Sequence, residues 1–141
     1  TMKEQLESDF SKELKKQKVL YTRLRTPNYG FKGVRYPADF IVWAARTTAL
    51  VECKERRSLP LAPSAIRQIP FMEEWNKSFY SPLAEYYILV RATEKDMCYL
   101  FSSEQAVHAR ENRKSLREGD ELYSSSSLRD VIEYIKGEID E

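Results

Sequence analysis

Two short apolar runs, broken by a polar tripeptide and fringed by acids and a lysine, constrain this chain more than any other feature. Residues 37–57 read Pro-Ala-Asp-Phe-Ile-Val-Trp-Ala-Ala-Arg-Thr-Thr-Ala-Leu-Val-Glu-Cys-Lys-Glu-Arg-Arg. Phe40, Ile41, Val42, Trp43 and Val51 favour a pleated, buried surface, and Arg46-Thr47-Thr48 supplies the polar interruption, so a β-hairpin is expected. Asp39 enters its first strand; Glu52 and Lys54 leave its second.

Side chains alternate across a strand, so Glu52 and Lys54 point to one side. With Arg46-Thr47 as a two-residue turn, Asp39 faces Lys54 and Ile41 faces Glu52. Residues directly opposite share a face. Asp39, Glu52 and Lys54 then converge, with the carboxylates one diagonal apart. A slip of one residue would send Asp39 to the far face, so the constellation is a consequence of register.

Such a group has a chemical use. Two carboxylates are hard oxygen ligands for Mg²⁺, which keeps several of its waters. A bound water loses a proton more easily and can attack phosphorus, while the metal offsets charge on the phosphate oxygens. Lys54, held protonated by the acids, suits orientation of that water or electrostatic support better than general base catalysis. The competing reading is a solvated ion pair at a strand end, common in a chain with 32% charged residues.

Pro37-Ala38-Asp39 followed by Glu52-Cys53-Lys54 resembles the signature of the PD-(D/E)XK nuclease superfamily, and within it the RecU-type Holliday junction resolvases and related phage recombination nucleases. Leu6-Glu7-Ser8-Asp9-Phe10 with Leu14 is similar to that family's first helix. This implies that Glu7 completes the metal site, although as a residue it reads equally as a solvated helix position. Ser58-Leu59-Pro60-Leu61 with Ile66-Arg67-Gln68 is similar to the segment after the lysine, where a glutamine opens the next helix, which gives Gln68 a supporting role. Arg67 stands where the family commonly has histidine.

The resemblance implies a restriction-endonuclease-like α/β fold with a mixed central sheet flanked by helices. It also implies a Mg²⁺-dependent DNA endonuclease, with Mn²⁺ as a substitute, acting as a homodimer on branched DNA. Two other functions stay open: a nuclease of the same superfamily for repair or restriction-like cutting, and a non-catalytic nucleic-acid binder that keeps the fold.

Charge is informative only when divided. The chain carries a net +1, but residues 1–67 hold 14 Lys and Arg against 7 Asp and Glu, net +7, while residues 68–141 are net −6. The basic half carries the motif, as expected where one face meets a polyanion. Residues 25–36 contain three basic residues, three aromatics and no core periodicity. Arg25, Tyr29, Lys32 and Arg35 in this stretch suit phosphates and stacking on splayed bases. Arg56, Arg57 and Arg67 extend the basic surface beyond the second strand.

The 141 residues fit a single domain, with its core over about residues 3–113 and a closing amphipathic helix over about 127–137. Leu6, Phe10 and Leu14 stripe a first helix over 3–17, and Val19–Leu24 reads as a first strand. A helix from Pro63 to about Asn76 follows the hairpin, bent by Pro70. Tyr86–Val90 and Met97–Phe101 are continuous apolar strands to be covered on both faces. Ser103–Arg110 opens with a capping pattern, and His108 falls at an exposed position on that helix. Ser124–Ser127 reads as a loop leading into a helix with Leu128, Val131, Ile132 and Ile135 inward. Cys53 and Cys98 lack zinc or disulfide spacing, and the charged N-terminus lacks a signal-peptide core, so a cytosolic protein is expected.

Overall fold

The structure, a computed structural model, describes residues 2–24, 36–45, 47–78 and 84–138. In chain order the elements are helix α1 (Met2–Lys16), strands β1 (Leu20–Arg23), β2 (Phe40–Trp43) and β3 (Thr48–Arg56), a 3-10 turn (Pro63–Ala65), helix α2 (Ile69–Ser78), strands β4 (Ala84–Ala92) and β5 (Met97–Ser102), helix α3 (Ser103–Glu111), strand β6 (Tyr123–Ser125) and helix α4 (Leu128–Ile135). The six strands form one sheet in sequence order. Every neighbouring pair is antiparallel except β3 and β4, which run parallel. That one parallel step is why the chain must cross over through the 3-10 turn and α2 between β3 and β4.

Alternation divides the sheet residues between two cores. Phe40, Val42, Val51, Cys53, Leu89 and Leu100 meet α1 and α4 on one face. Ile88, Val90, Tyr86, Tyr99 and Phe101 meet α2 and α3 on the other. The α1 stripe is fully buried at Leu6, Phe10 and Leu14, and burial of each such side chain stabilises by about 1.5–3 kcal/mol. Phe10 meets Phe40 edge-on with ring centroids 5.0 Å apart, which fixes α1 over the start of β2. β4 and β5 are buried over Tyr86–Val90 and Cys98–Phe101, as continuous apolar runs require.

Helix ends follow local chemistry. Ser102 caps α3 with a reciprocal box, its Oγ accepting from Gln105 N at 3.1 Å while Gln105 Oε1 accepts from Ser102 N at 2.9 Å. α1 closes on Lys18, whose φ of 59° is the left-handed conformation, with Val19 N donating to Leu14 O at 3.0 Å. His108 is exposed on α3.

Three expectations are corrected. The helix expected over 63–76 is two pieces, because Pro70 has no N–H to give to Ile66 O. Ile66 N closes the 3-10 turn on Pro63 O instead, and α2 restarts at Ile69 with Pro70 in its first turn, where an N–H has no intrahelical partner. Residues 123–125, expected within or beside a loop, form an edge strand on β5, with Tyr123 opposite Leu100. The hairpin turn is displaced by one residue, as described below. Among the described residues no helix is long and apolar enough to cross a membrane.

Candidate active site

The β2–β3 register decides what the motif residues can do together. Phe40 pairs with Val51 and Trp43 with Thr48, and Ala44 N donates to Thr47 O at 2.9 Å, so Ala44 and Thr47 close the hairpin. A turn at Arg46-Thr47 would have set Asp39 against Lys54 and Phe40 against Cys53; the observed ladder sets Phe40 against Val51 and ends there, with Asp39 just outside it. The difference is two residues along the partner strand. An even shift preserves the face of every paired residue.

Asp39 is tied through backbone and side chain. Its N donates to Val51 O at 3.1 Å, its O accepts from Leu24 N at 2.7 Å, and its Oδ2 accepts from Cys53 N at 2.8 Å. The last bond folds the carboxylate onto the β3 backbone between Glu52 and Lys54. Glu52 has a fully buried side chain, and Lys54 Nζ lies 3.5 Å from its Oε2. Neither would be stable there alone, because an unpaired charge loses its hydration without compensation. The acid and the amine hold one another in place.

A buried tyrosine borders the pair. Tyr86 on β4 donates its hydroxyl to Pro37 O, two residues before Asp39, and its ring meets Trp75 of α2 edge-on at 5.5 Å. Burial pushes the phenol pKa above its ordinary range, and the charges of Glu52 and then Asp39 push it further.

Glu7 is buried on α1, on the helical layer that covers the face opposite Glu52, with Arg23 Nη2 3.6 Å from its Oε1. Among the described residues no three of His, Cys, Asp and Glu are grouped closely enough to hold a metal. The expected set of Glu7, Asp39 and Glu52 does not form such a group. Gln68 sits immediately before α2 with its Oε1 buried and without a hydrogen-bond partner among the described residues. Arg56, Arg57 and Arg67 are all exposed. Arg25, Tyr29, Lys32 and Arg35 lie outside the described residues.

The donor set fits a hard divalent cation. Two carboxylates are enough protein ligands for Mg²⁺, which fills its remaining octahedral positions with water.

On the opposite face the structure holds a network that the sequence reading missed. Arg91 of β4 donates to both oxygens of Glu55 at 3.3 Å and to Asp9 Oδ2 of α1 at 2.9 Å. Burial alone would lower the Arg91 pKa, but the hydrogen bonds to Asp9 and Glu55 outweigh it and raise the value. Arg91 is the register partner of Glu55, so the network locks the residue next to Lys54 to both β4 and α1. An arginine ending an otherwise apolar strand was the available signal.

No protein-family model and no curated protein matches the chain. Among solved structures it is similar to the 1.6 Å structure of Archaeoglobus fulgidus Hjc, a Holliday junction resolvase from an archaeal hyperthermophile. The TM-score is 0.48 and the identity 25%, over 70% of this chain and 74% of that one. The mixed sheet flanked by helices is the fold class expected from the sequence.

Proposed function

We propose that the protein is a metal-dependent DNA endonuclease that hydrolyses phosphodiester bonds, with four-way junctions as its preferred substrate. The observation that supports this reading is the Asp39 carboxylate bonded to Cys53 N at 2.8 Å, between Glu52 and Lys54, with Lys54 Nζ 3.5 Å from Glu52. Two acids that can hold a divalent cation and an amine that can offset phosphate charge are a set suited to phosphodiester hydrolysis. Asp39 and Glu52 would hold the cation, Mg²⁺ or in its place Mn²⁺. When bound, that ion supplies Lewis acidity and a water of lowered pKa.

The remaining roles belong to the chain. Lys54, fixed by Glu52, presents a cation to the phosphate oxygens and to the attacking water. Cys53 N holds the Asp39 carboxylate against the β3 backbone. Gln68 brings an unsatisfied buried carbonyl oxygen at the start of α2, and Glu7 lends negative charge from α1. Arg56, Arg57 and Arg67, with Arg25, Tyr29, Lys32 and Arg35, supply the sequence-independent grip on phosphates.

Junction preference rests on the resemblance of the motif segments and on the segregation of positive charge into the half that carries them. Resolution needs two cuts related by symmetry, which a homodimer with two sites provides. Leu20 is 68% and Trp43 40% exposed. They are register partners on the face that carries Glu52, and form the apolar patch that a second copy would cover.

The test offers a four-way junction, a flap and a linear duplex side by side, with and without Mg²⁺. The wild type cuts the junction in preference, and only with metal. Asp39→Ala and Lys54→Ala lose cutting while keeping the fold and most of the binding. Junction cleavage retained by both variants, or cleavage in chelator, overturns the assignment; cutting of all three substrates at one rate leaves a nuclease without junction preference.

A further inference from the structure

We propose that Tyr86 is a positioning residue for the metal-binding pair, holding the Pro37–Asp39 segment so that the Asp39 carboxylate meets Glu52. The proposal rests on the nuclease reading of the site and adds a residue on a different strand. Tyr86 lies on β4, opposite Leu50 of β3 and two residues before Ile88, the register partner of Glu52. Its hydroxyl reaches across β3 to the carbonyl of Pro37, in the segment that enters β2.

The geometry makes this bond the outer anchor of Asp39. The carboxylate of Asp39 is held by Cys53 N and its backbone by Val51 and Leu24. All three tie residue 39 to its neighbours in the sheet, and none fixes the direction from which the chain arrives. Regular β2 begins only at Phe40, so Pro37 and Ala38 have no ladder of their own. The Tyr86 hydroxyl constrains this segment through the Pro37 carbonyl. Its ring is 2% exposed and braced edge-on by Trp75, so the hydroxyl cannot swing away from Pro37. Glu52 and Asp39 both act electrostatically on this phenol. A neutral donor there also suits a site that gathers negative charge, because it satisfies a carbonyl without adding a charge.

Groups that orient metal ligands without touching the metal typically change metal affinity 10–100-fold when removed. Tyr86→Phe deletes only the hydroxyl. The expected result is a Kd for Mn²⁺, read by calorimetry or by electron paramagnetic resonance on the protein without DNA, about tenfold weaker than in the wild type. The Mg²⁺ concentration for half-maximal cleavage rises in parallel, and metal-free junction binding is unchanged. Tyr99→Phe is the matched control: Tyr99 is buried in the same core on β5, but its hydroxyl bonds Glu118 at 3.0 Å, outside the site. It loses a tyrosine hydroxyl and leaves Mn²⁺ affinity as it was. Trp75→Leu, which removes the brace and keeps the hydroxyl, weakens Mn²⁺ binding in the same direction by less.

An unchanged Mn²⁺ Kd in Tyr86→Phe, or equal weakening in Tyr86→Phe and Tyr99→Phe, overturns the inference while leaving the nuclease assignment intact. A wild-type protein that neither binds Mn²⁺ nor cleaves DNA overturns the assignment itself, and this inference with it.

Discussion

Replacing Arg91 by methionine tests whether the network beneath Lys54 is a structural cross-link. The arginine side chain is 15% exposed and the Glu55 side chain 6%, whereas Asp9 retains 32%. Methionine keeps the buried stem and deletes five donors, so Glu55 is left as a carboxylate among Cys53, Cys98 and the α1 stripe. Breaking one partner of a buried pair costs about 3–5 kcal/mol. Residual exposure of Arg91 and Asp9 argues for the lower end, about 3 kcal/mol. For a domain of this size that is a fall in Tm of about 10 °C.

Urea unfolding followed by tryptophan fluorescence measures this directly, with an unchanged m-value showing that the two end states are comparable. The second arm is Glu55→Met combined with Arg91→Met. Removing both charges removes the stranded acid and leaves Asp9 to solvent, so the double variant should cost about 1 kcal/mol, less than either single change. A single-variant loss under about 1 kcal/mol, or a double variant equal to the sum of the singles, refutes the reasoning.

Further outcomes follow from other parts of the molecule. Burial raises the Cys98 pKa from 9.0 to about 11 and the Tyr99 pKa to about 12, and it raises Tyr86 and Tyr87 as well. Groups with raised folded-state pKa values contribute stability that is complete below their unfolded values and is lost as pH climbs toward the folded ones. Stability should therefore be level up to about pH 9 and fall steadily beyond it; a thermal midpoint independent of pH from 9 to 11 contradicts this. Ser102→Ala, which deletes the α3 cap, should lower stability by about 1 kcal/mol in the same urea assay. Lys18→Gly should raise it by about 1 kcal/mol, since glycine adopts the left-handed conformation that strains a lysine. Trp43→Lys should shift sedimentation of the proposed dimer toward monomer without lowering Tm at low protein concentration.

The strands of the hairpin were more legible in the sequence than the packing around them, for a reason that can be stated. Parity protected the paired residues: the turn was placed one residue too late, the pairing moved by two, and each paired side chain kept its face. No such protection covers a helix boundary, so Pro70 divided the expected helix instead of bending it. β6 was hidden because Tyr123, Ser124 and Ser125 are too polar to read as a strand, and they are one only because β5 offers them an edge.

Contacts between distant segments were the least legible. Arg91 and Asp9 are 82 residues apart, and Tyr86 and Pro37 are 49 apart. Tyr86 stood inside an apolar run, where a tyrosine is read for its ring. Its hydroxyl became meaningful only when the parallel step laid β4 beside β3.

The hairpin tip near Ala44 and Thr47 has a practical consequence for anyone remodelling this protein. Because the strands close at that pair, extra residues inserted beyond it lengthen the loop and leave every downstream partner in place, whatever their number. A single residue deleted between Asp39 and Ala44 is a different operation. It turns Phe40 and the acid before it toward the opposite face of the sheet. Tags, fluorophores and affinity handles therefore belong at the tip, and library diversity should stay out of the few residues behind it.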